Sequence, residues 1–598
     1  MLWTHSIMLF VLFAGQAGNQ AQAQADPATQ VDKLFERWNK TSSPGCALAV
    51  MKDGRIVYKR GYGMADLDHD VVITPASIFH VASVSKQFTA ASILLLAQEG
   101  KLSLEDEVRK HIPELPDFGE RITIRHLIHH TSGLRDQWDL LGLAGWRYSL
   151  DLITDEDVLS VMSRQRDLNF RPGERHLYCN TGYTLLAQIV KRVSGQSLRA
   201  FTTARIFEPL GMKNTHFRDD HAEIVKGMAY GYVPSFNTFR LSITNFDTVG
   251  ATSLLTTVED LALWDENFYN PRVGGTPLIN QMLERGKLNS GETLDYAFGL
   301  THGKYKGLAT VDHGGSDAGY RSDLLRFPDQ HFSVACLCNL SINPSQLARQ
   351  VADIYLAAEL KPDPAKPEAP AAKLTEAQLV DKVGIYHNPD GDVIRRIIFQ
   401  DGGLRMLQGV TGTGIELKPL SDSRFRPTSQ PVEIRFEPQA AGGMRWIDMP
   451  DSGAKPVVYE RAEEFKPTPA QLADYAGQYQ SDEIEPVYRM TIQDSRLVLE
   501  RLKSRPAPLE PAIKDLFTSP GGNIRFTRDA QGKVTGFILN RERVLNFRFK
   551  KVAVQGAGRF RGCLLGLAVG EAVGTALEFR QPGSCSSYFL EQCDNARL

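Results

Sequence analysis

Cysteine is scarce in this sequence, and its spacing is unlike that of a metal-binding protein. The 598 residues contain seven cysteines, at positions 46, 179, 336, 338, 563, 585 and 593. This spacing matches no zinc-binding pattern, and a chain of this length does not depend on a disulfide scaffold. Cys336 and Cys338 lie in an apolar, strand-like run, where core packing is the expected role. We therefore predict no metal site and no cofactor.

The sequence also lacks an excess of charge of either sign and, after its N-terminus, any long apolar run. The formal net charge is −2, which gives no reason to expect a nucleic acid or an anionic membrane as partner. No later segment reaches the roughly 20 apolar residues of a transmembrane helix. With 42% hydrophobic residues, the chain is long enough for two or three globular domains.

Residues 1–25 have the pattern of a secretory signal peptide. Ile7 to Ala14 form a short apolar core, and Ala21-Gln22-Ala23 or Ala23-Gln24-Ala25 offers a cleavage site. The segment before the apolar core has no Lys or Arg, so a mistaken upstream start and an uncleaved anchor stay as alternatives. We expect a periplasmic or secreted protein, without stable membrane insertion after signal cleavage.

The first candidate for chemistry is a serine and a lysine at the start of an apolar helix. Ser83 and Lys86 are three residues apart, so they share one helix face, and the apolar run that follows ends before Gly100. A desolvated amine can take the proton of a serine hydroxyl, and helix N–H groups can stabilise an oxyanion. The alternative is that Ser83 only caps the helix.

Two more motifs follow at a distance. Tyr178 and Asn180 form a Tyr-x-Asn pair before a helix, where a deprotonated phenol could act as base and the amide could bind a carbonyl; a buried Tyr and a helix cap are the alternative. His313-Gly314-Gly315-Ser316 precedes a strand, where glycines permit close approach of a substrate and the Ser316 N–H could donate to an oxyanion. A plain glycine turn is the alternative.

The order of elements over residues 26–360 predicts an α+β domain. Two strand-like runs surround Asp53-Gly54 as a hairpin, helical patterns occupy 155–163 and 182–194, and strands return before a closing helix that contains Leu347. The terminal strands can pair in one antiparallel sheet beside a helical middle region.

A proline-rich linker, 361–374, precedes a repeat. TEAQLVDKVGIY at Thr375 and TPAQLADYAGQY at Thr468 share seven of twelve positions, and short β-rich runs follow each. We predict that residues 375–553 form one closed barrel from the two repeats, with the two Thr-initiated turns at its end.

Together the three motifs resemble those of the penicillin-recognising serine hydrolases, on the side of the class C β-lactamases, D,D-carboxypeptidases, D-aminopeptidases and esterases. The phrases VASVSKQFTA, HTSGL and YCNTGYTLLAQIV also match, and the resemblance covers residues 28–358. It implies a β-lactamase/transpeptidase-like fold. The β-rich region resembles the lipocalin-like C-terminal domain of some of these peptidases, and could mediate oligomer formation.

The resemblance assigns roles by position. Ser83 attacks the carbonyl, Lys86 and Tyr178 share the proton transfer, and Asn180 binds the acyl amide. The N–H groups of Ser83 and Ser316 form the oxyanion hole beside Gly315. His313 stands where the family usually has a lysine that pairs with a substrate carboxylate, and Arg321 is the candidate to compensate for it.

The expected function is therefore an exported serine hydrolase that cleaves a small peptide, amide or ester. The departure at His313 favours a D-stereospecific peptidase, carboxypeptidase or esterase over a β-lactamase proper, which stays an alternative, as does a non-catalytic penicillin-binding sensor. The tail, 554–598, resembles the start of an ADP-ribosylglycohydrolase, with Gly570-Glu571-Ala572 in place of its acidic Gly-Asp-Ala. We predict that this truncated tail is inactive, which argues against an ADP-ribosyl hydrolase.

Overall fold

The computed structural model describes residues 26–361, 372–412, 414–439, 443–451 and 455–553. The predicted signal peptide, most of the linker and the tail lie outside these residues. The described chain forms two compact units, of which the first holds residues 26–138 and 147–361 and the second holds 139–146 and everything from 372. Residues 139–146 group with the second unit although they lie within the sequence range of the first. The predicted domain boundaries stay a prediction.

The first unit is built on an antiparallel six-stranded sheet. Its described strands, β1 to β13, are Cys46–Lys52, Arg55–Tyr62, Met64–Asp66, Val71–Val72, Phe79–His80, His216–Phe217, Tyr232–Ser235, Thr238–Leu241, Leu254–Thr256, Thr301–Tyr305, Leu308–Asp317, Tyr320–Phe327 and Phe332–Cys338. The large sheet has the order β10-β11-β12-β13-β1-β2, so the first strand pairs with the last. This pairing confirms the predicted α+β arrangement.

The described chain up to residue 361 also contains eleven α-helices. They are α1 to α11: Pro27–Phe35, Lys86–Gln98, Ile124–Ile128, Gln137–Leu143, Asp155–Ser163, Asn180–Ser194, Leu198–Thr202, Glu208–Leu210, Val258–Glu266, Gly275–Met282 and Pro344–Tyr355. The apolar faces of α1 and α11 cover one face of the sheet, where Phe35, Val50 and Val351 share a core. No helix in the described part of the chain is long and apolar enough to cross a membrane.

Local sequence explains the elements that were predicted. Asp53 and Gly54 both have positive φ, 50° and 73°, as the tight turn of a two-residue hairpin requires. Helix α6 ends at Gly195, whose left-handed φ of 74° terminates the helix. Helix α2 is buried along almost its whole length, as its apolar composition predicts.

One disulfide is present among the described residues. Cys46 of β1 and Cys338 of β13 are directly opposite each other in the register and are bonded. Cys336 lies on the same face of β13, with its Sγ 3.7 Å from that of Cys338. Cys336 packs in the core, as expected. Cys338 also lies in the core but forms a disulfide that the sequence did not predict, because only the pairing of β1 with β13 brings it next to Cys46.

The second unit contains two barrels, where the sequence predicted one. The first closes over β14 to β21: Gly384–Asn388, Val393–Gln400, Gly403–Gln408, Ile415–Pro419, Arg424–Pro427, Val432–Pro438, Met444–Pro450 and Val457–Ala462. The second closes over β22 to β29: Gly477–Gln480, Tyr488–Gln493, Arg496–Glu500, Ala507–Ile513, Leu516–Ser519, Gly522–Arg528, Val534–Arg541 and Val544–Val552. Each repeat has eight strands, enough to remove its own sheet edges, so each closes alone.

The repeated segments begin each barrel in the same way. Thr375 and Thr468 cap the short helices α12 (Glu376–Val380) and α13 (Pro469–Ala473) through capping boxes. The hydroxyl of Tyr386 donates to Lys382 O at 2.9 Å, and that of Tyr479 donates to the equivalent Tyr475 O at 2.7 Å. The sequence repeat is therefore also a structural repeat.

Candidate active site

The serine and lysine of the first motif are brought together at the start of helix α2. Ser83 lies in a 3₁₀ turn, Ala82–Ser85, and Lys86 is the first residue of the helix. Lys86 Nζ is 3.1 Å from Ser83 Oγ, which is within reach of direct proton transfer. Lys86 is fully buried while Ser83 is partly exposed, so the hydroxyl is the accessible member of the pair.

Two other oxygens hold the lysine in place. Its Nζ donates to Asn180 Oδ1 at 3.0 Å and to the carbonyl of Ala251 at 2.6 Å. Together with the contact to Ser83 Oγ, these two hydrogen bonds fix the position of the amine. The Ala251 carbonyl is part of the site that sequence reasoning missed, because a backbone acceptor leaves no signature in a side-chain pattern.

The second motif joins the same cluster through both of its residues. Asn180 begins helix α6 and accepts from Lys86, while Tyr178 presents its ring to the lysine, with Nζ 4.9 Å from the ring centroid. A cation over an aromatic face is a favourable arrangement. The structure thus shows Lys86 against the face of the Tyr178 ring, and the predicted sharing of proton transfer between the two stays a prediction.

Asp136 orients Asn180, and sequence reasoning did not single it out. Its Oδ2 accepts from the backbone N–H of Asn180 at 2.7 Å and from Nδ2 of the same residue at 2.9 Å. These bonds fix the amide with its oxygen towards Lys86, and they leave one N–H of the amide for a substrate carbonyl. Asp136 follows the HTSGL phrase by two residues, which is the signal that could have identified it.

His130 supports the loop that carries Tyr178. Its Nδ1 accepts from the backbone N–H of Cys179 at 3.1 Å, and its ring lies 4.2 Å from that of Tyr178 between centroids. Burial and then the charge of Lys86 place the pKa of His130 well below its usual range. The imidazole is therefore neutral at pH 7, and it acts as an acceptor rather than as a cation.

His313 of the third motif is also buried and neutral. Its Nδ1 lies 2.7 Å from Gly314 O, a carbonyl that can only accept, so Nδ1 carries the proton. Nε2 then accepts from the hydroxyl of Tyr296 at 3.1 Å. Burial, followed by the charge of Lys86, lowers the pKa of His313 to about 4. This lies below the unperturbed value of about 6.5, so the ring is uncharged at neutral pH.

Gly315 is in close contact with the segment that leads to Ser83. A Cβ placed on Gly315 would lie 2.4 Å from Val81 O and 3.0 Å from Ala82 Cβ. Close approach of a substrate is not needed to explain this glycine, because the protein's own backbone already requires it. Ser316 follows it on β11 with an exposed side chain. Its assignment as an oxyanion donor stays a prediction.

Arg321 is opposite Ser316 in the register of β11 and β12. Its Nη1 donates to two backbone carbonyls, Ala318 O at 2.9 Å and Tyr320 O at 2.6 Å. The guanidinium is half-buried, and burial lowers its pKa from the usual value. Nη1 of Arg321 is thus bonded to the backbone of its own turn, and the guanidinium lies on β12, the strand next to the third motif. Its role in compensating for the missing lysine stays a prediction.

Two side-chain groups in the described part of the chain are close enough to share a metal ion. They are Cys46 with Cys336 and Cys338, and Asp220 with His221 and Asp247. Two of the three sulfurs in the first group form the disulfide, which removes them as thiolate donors. The second group lies near the surface, where acidic residues are common without an ion. Neither group includes a residue of the candidate active site.

Comparison with known proteins gives one family and several relatives. The sequence profile of the β-lactamase family matches residues 31–359, more than half of the chain. Penicillin-binding protein 4* of Bacillus subtilis is 29% identical over 67% of this chain and 92% of its own length. The D-aminopeptidase of Brucella canis is 26% identical over 82% of this chain and 93% of its own.

A solved structure shares the fold. The octameric penicillin-binding protein homologue from Pyrococcus abyssi is 25% identical, with a TM-score of 0.51, and the match covers 73% of this chain and all of that one.

Proposed function

Because the chain belongs to the β-lactamase family and is a serine hydrolase of that fold, we propose that it cleaves a small peptide, amide or ester bond through an acyl-enzyme on Ser83. The observation that carries this proposal is the 3.1 Å contact between Ser83 Oγ and the buried amine of Lys86. A protein that only binds its ligand non-covalently does not need this contact, so the contact favours covalent chemistry on Ser83.

The first step is attack of Ser83 Oγ on the substrate carbonyl. The hydroxyl proton passes to Lys86 in its neutral form, or through Lys86 to Tyr178 when Tyr178 is the phenolate, so the two act as a coupled pair. The N–H groups of Ser83 and Ser316 stabilise the oxyanion, and the free N–H of the Asn180 amide binds the acyl group. The proton then moves to the leaving amine or alcohol, and water releases the acyl-enzyme by the reverse sequence.

We propose a substrate of D-aminopeptidase, D-amino-acid amide or ester type. The name of one relative supports it, the D-aminopeptidase of Brucella canis. The neutral state of His313 adds a physical reason, because it supplies no cation for the carboxylate that a β-lactam carries. A β-lactamase proper is therefore the less favoured reading of the same site.

We also propose export to the periplasm or beyond the cell. The disulfide between Cys46 and Cys338 supports it, since such bonds persist in oxidising compartments. A fusion of residues 1–25 to a reporter that is active only after export tests this proposal. An inactive reporter, with the fusion protein found only in the cytoplasmic fraction, would contradict it.

The function is tested with a substrate panel and one variant. D-Amino-acid amides, short-chain p-nitrophenyl esters and a chromogenic cephalosporin are offered to the wild type and to Ser83→Ala, and both are exposed to a fluorescent fluorophosphonate. We expect turnover and labelling in the wild type, and neither in Ser83→Ala at an unchanged melting temperature. Turnover by Ser83→Ala near the wild-type rate would refute the assignment.

A further inference from the structure

A cluster of buried polar side chains lies next to the segment that leads to Ser83. Its members are His80, Thr252 and Asp317, and we refer to these three side chains as the His80 cluster. The side chains of His80 and Asp317 are 2% and 5% exposed, and Thr252 is buried as well. No step of the proposed reaction uses any of them. Buried polar groups of this kind need a structural or functional reason.

Each member of the cluster adjoins a segment that carries the proposed chemistry. His80 Nδ1 accepts from the backbone N–H of Ala82 at 3.1 Å, and Ala82 immediately precedes Ser83. Thr252 follows Ala251, whose carbonyl holds Lys86, and Asp317 follows Ser316. The cluster therefore connects three parts of the chain that are distant in sequence and meet only at the site.

The hydrogen bonds within the cluster have a single consistent direction. Because Nδ1 of His80 faces a backbone N–H, it must be unprotonated, and the proton of the neutral ring is on Nε2. Nε2 lies 3.2 Å from Thr252 Oγ1, which in turn donates to Asp317 Oδ2 at 2.6 Å. The hydroxyl of Tyr148 donates to the other oxygen of Asp317.

The backbone that His80 contacts is strained. Ala82 has a φ of 48°, a left-handed conformation that a residue with a Cβ rarely adopts. Such a conformation persists only where the surroundings fix it. On the other side of this segment, Ser322 Oγ donates to Val81 O at 2.7 Å. These two side-chain contacts hold the N–H and the C=O of the single peptide group that joins Val81 to Ala82, directly before the nucleophile.

The surroundings of His80 keep its ring neutral. The ring stacks on Tyr320 at 5.3 Å between centroids and meets the edge of Phe246 at 6.5 Å. The charged groups that act on it are Asp317, which favours the imidazolium, and Arg218, which opposes it. Burial outweighs both and lowers the pKa of His80 from its usual value. At neutral pH the Nδ1 lone pair is thus available to Ala82.

We infer that His80 is a positioning residue of the hydrolytic site, which acts through the N–H of Ala82 to fix the backbone that presents Ser83. Thr252 orients the ring by accepting a hydrogen bond from Nε2–H, and Asp317 orients the Thr252 hydroxyl by accepting a hydrogen bond from it. The inference rests on the proposed function, since it concerns the reactivity of Ser83. It assigns His80 no contact with the substrate.

Two substitutions of His80 separate its two contacts. In His80→Asn, the amide oxygen can take the place of Nδ1 and keep the bond from Ala82. In His80→Gln, the longer side chain places its amide where Nε2 lies, so it keeps the contact with Thr252 and loses the one with Ala82. The two variants are similar in polarity, so they differ mainly in which contact survives.

The measured quantity is the second-order rate constant for fluorophosphonate labelling of Ser83, together with kcat and KM on a p-nitrophenyl ester. We expect His80→Gln to label at least tenfold more slowly than the wild type, with kcat reduced likewise and KM within threefold. We expect His80→Asn to stay within threefold of the wild type. Equal labelling rates in the two variants, whether fast or slow, or the reverse order would overturn the inference.

A second pair keeps the test decisive if His80→Gln does not fold. Thr252→Val removes the hydroxyl that orients the ring, and Thr252→Ser keeps it. We expect the valine variant to lose at least fivefold in labelling rate and the serine variant to recover it. Thr202→Val is the control, because Thr202 is also buried and its hydroxyl, within the described part of the chain, donates to Leu198 O and Arg199 O of its own helix.

The outcomes distinguish this inference from the proposed function. Labelling of Thr252→Val at the wild-type rate, or an equal loss in Thr202→Val, would overturn the positioning role alone. A wild type that the fluorophosphonate does not label would overturn the proposed function and this inference with it.

Discussion

Replacing Gly315 by alanine should disable the site without any change to a side chain that takes part in the reaction. The added Cβ would lie 2.4 Å from the carbonyl oxygen of Val81 and 2.2 Å from Ser322 Oγ. The serine hydroxyl can rotate away, but the carbonyl is backbone. An ordinary carbon–oxygen contact is about 3.3 Å, so Val81 O must recede by about 0.9 Å, and the segment before Ser83 moves with it.

The size of the effect follows from that displacement. A misplacement of about 1 Å in a reacting group costs about 100-fold in rate, which corresponds to roughly 2.7 kcal/mol in the activation free energy. Overpacking of a close contact also costs about 1–3 kcal/mol of folding stability. We therefore expect kcat for a p-nitrophenyl ester to fall about 100-fold, with a melting temperature only a few degrees lower.

The neighbouring glycine provides a matched control. A Cβ on Gly314 would have 3.5 Å as its nearest contact, to Asp323 Oδ1 and Ser345 Oγ, which is ordinary packing. Consecutive strand residues point to opposite faces, so Gly314→Ala adds its methyl group on the side away from Val81. We expect its kcat to stay within a few-fold of the wild type. A Gly315→Ala enzyme that is as active as Gly314→Ala would refute the reasoning.

Three further predictions follow from the site and the sheet. Lys86→Ala and Tyr178→Phe should each lower kcat by orders of magnitude, and the double variant little further, because coupled residues are non-additive; strictly additive losses in kcat/KM would contradict this. His313 has a pKa of about 4, so it is neutral between pH 5.5 and 8. In the wild type, the ratio of kcat/KM for a carboxylated ester to that for a neutral ester should therefore not change with pH in that range. In His313→Lys this ratio should be higher. A wild-type ratio that increases as pH falls towards 5.5 would contradict the prediction. Reduction of the bond between Cys46 and Cys338 should lower the melting temperature, measured with and without a reductant, because the unfolded chain then loses a cross-link between positions 292 residues apart and gains conformational entropy. An unchanged melting temperature would contradict this.

The buried histidines add an acid dependence to the stability of the fold. Burial holds the pKa of His129 at about 3 and that of His313 at about 4, below the unfolded value of about 6.5. The unfolded chain therefore binds more protons than the native one between these values, and the free energy of unfolding should fall as pH decreases from about 6.5 to 4. Denaturant unfolding at several pH values measures it. A free energy of unfolding that increases as pH is lowered through that range would contradict the burial of neutral imidazoles.

Much of the local structure could be read from short stretches of sequence. The hairpin at Asp53-Gly54, the end of α6 at Gly195 and the capped helices at Thr375 and Thr468 depend on contacts between residues a few positions apart. Turn and cap chemistry is local, so the residues that decide it are adjacent in the chain. The spacing of Ser83 and Lys86 was informative for the same reason.

The number of barrels could not be predicted from the sequence, because a barrel closes through pairing of strands that are far apart in the chain. Each repeat carries the same initiating segment, but nothing in a strand's own sequence says whether its last partner belongs to the same repeat or to the next. In the structure β21 returns to β14 and β29 returns to β22, so each set closes on itself. The number of barrels is therefore set by these closing pairs, whose strands lie at opposite ends of a repeat.

The sequence by itself determined the family, the α+β order of the first domain, and the residue types of the proposed reaction. It could not place the groups that act through the backbone or through distant contacts. Ala251 holds Lys86 by a carbonyl, and Asp136 reaches Asn180 across 44 positions of the chain. It also could not show that His313 is neutral, because a pKa depends on burial and on neighbours such as Lys86 that only the folded chain brings near.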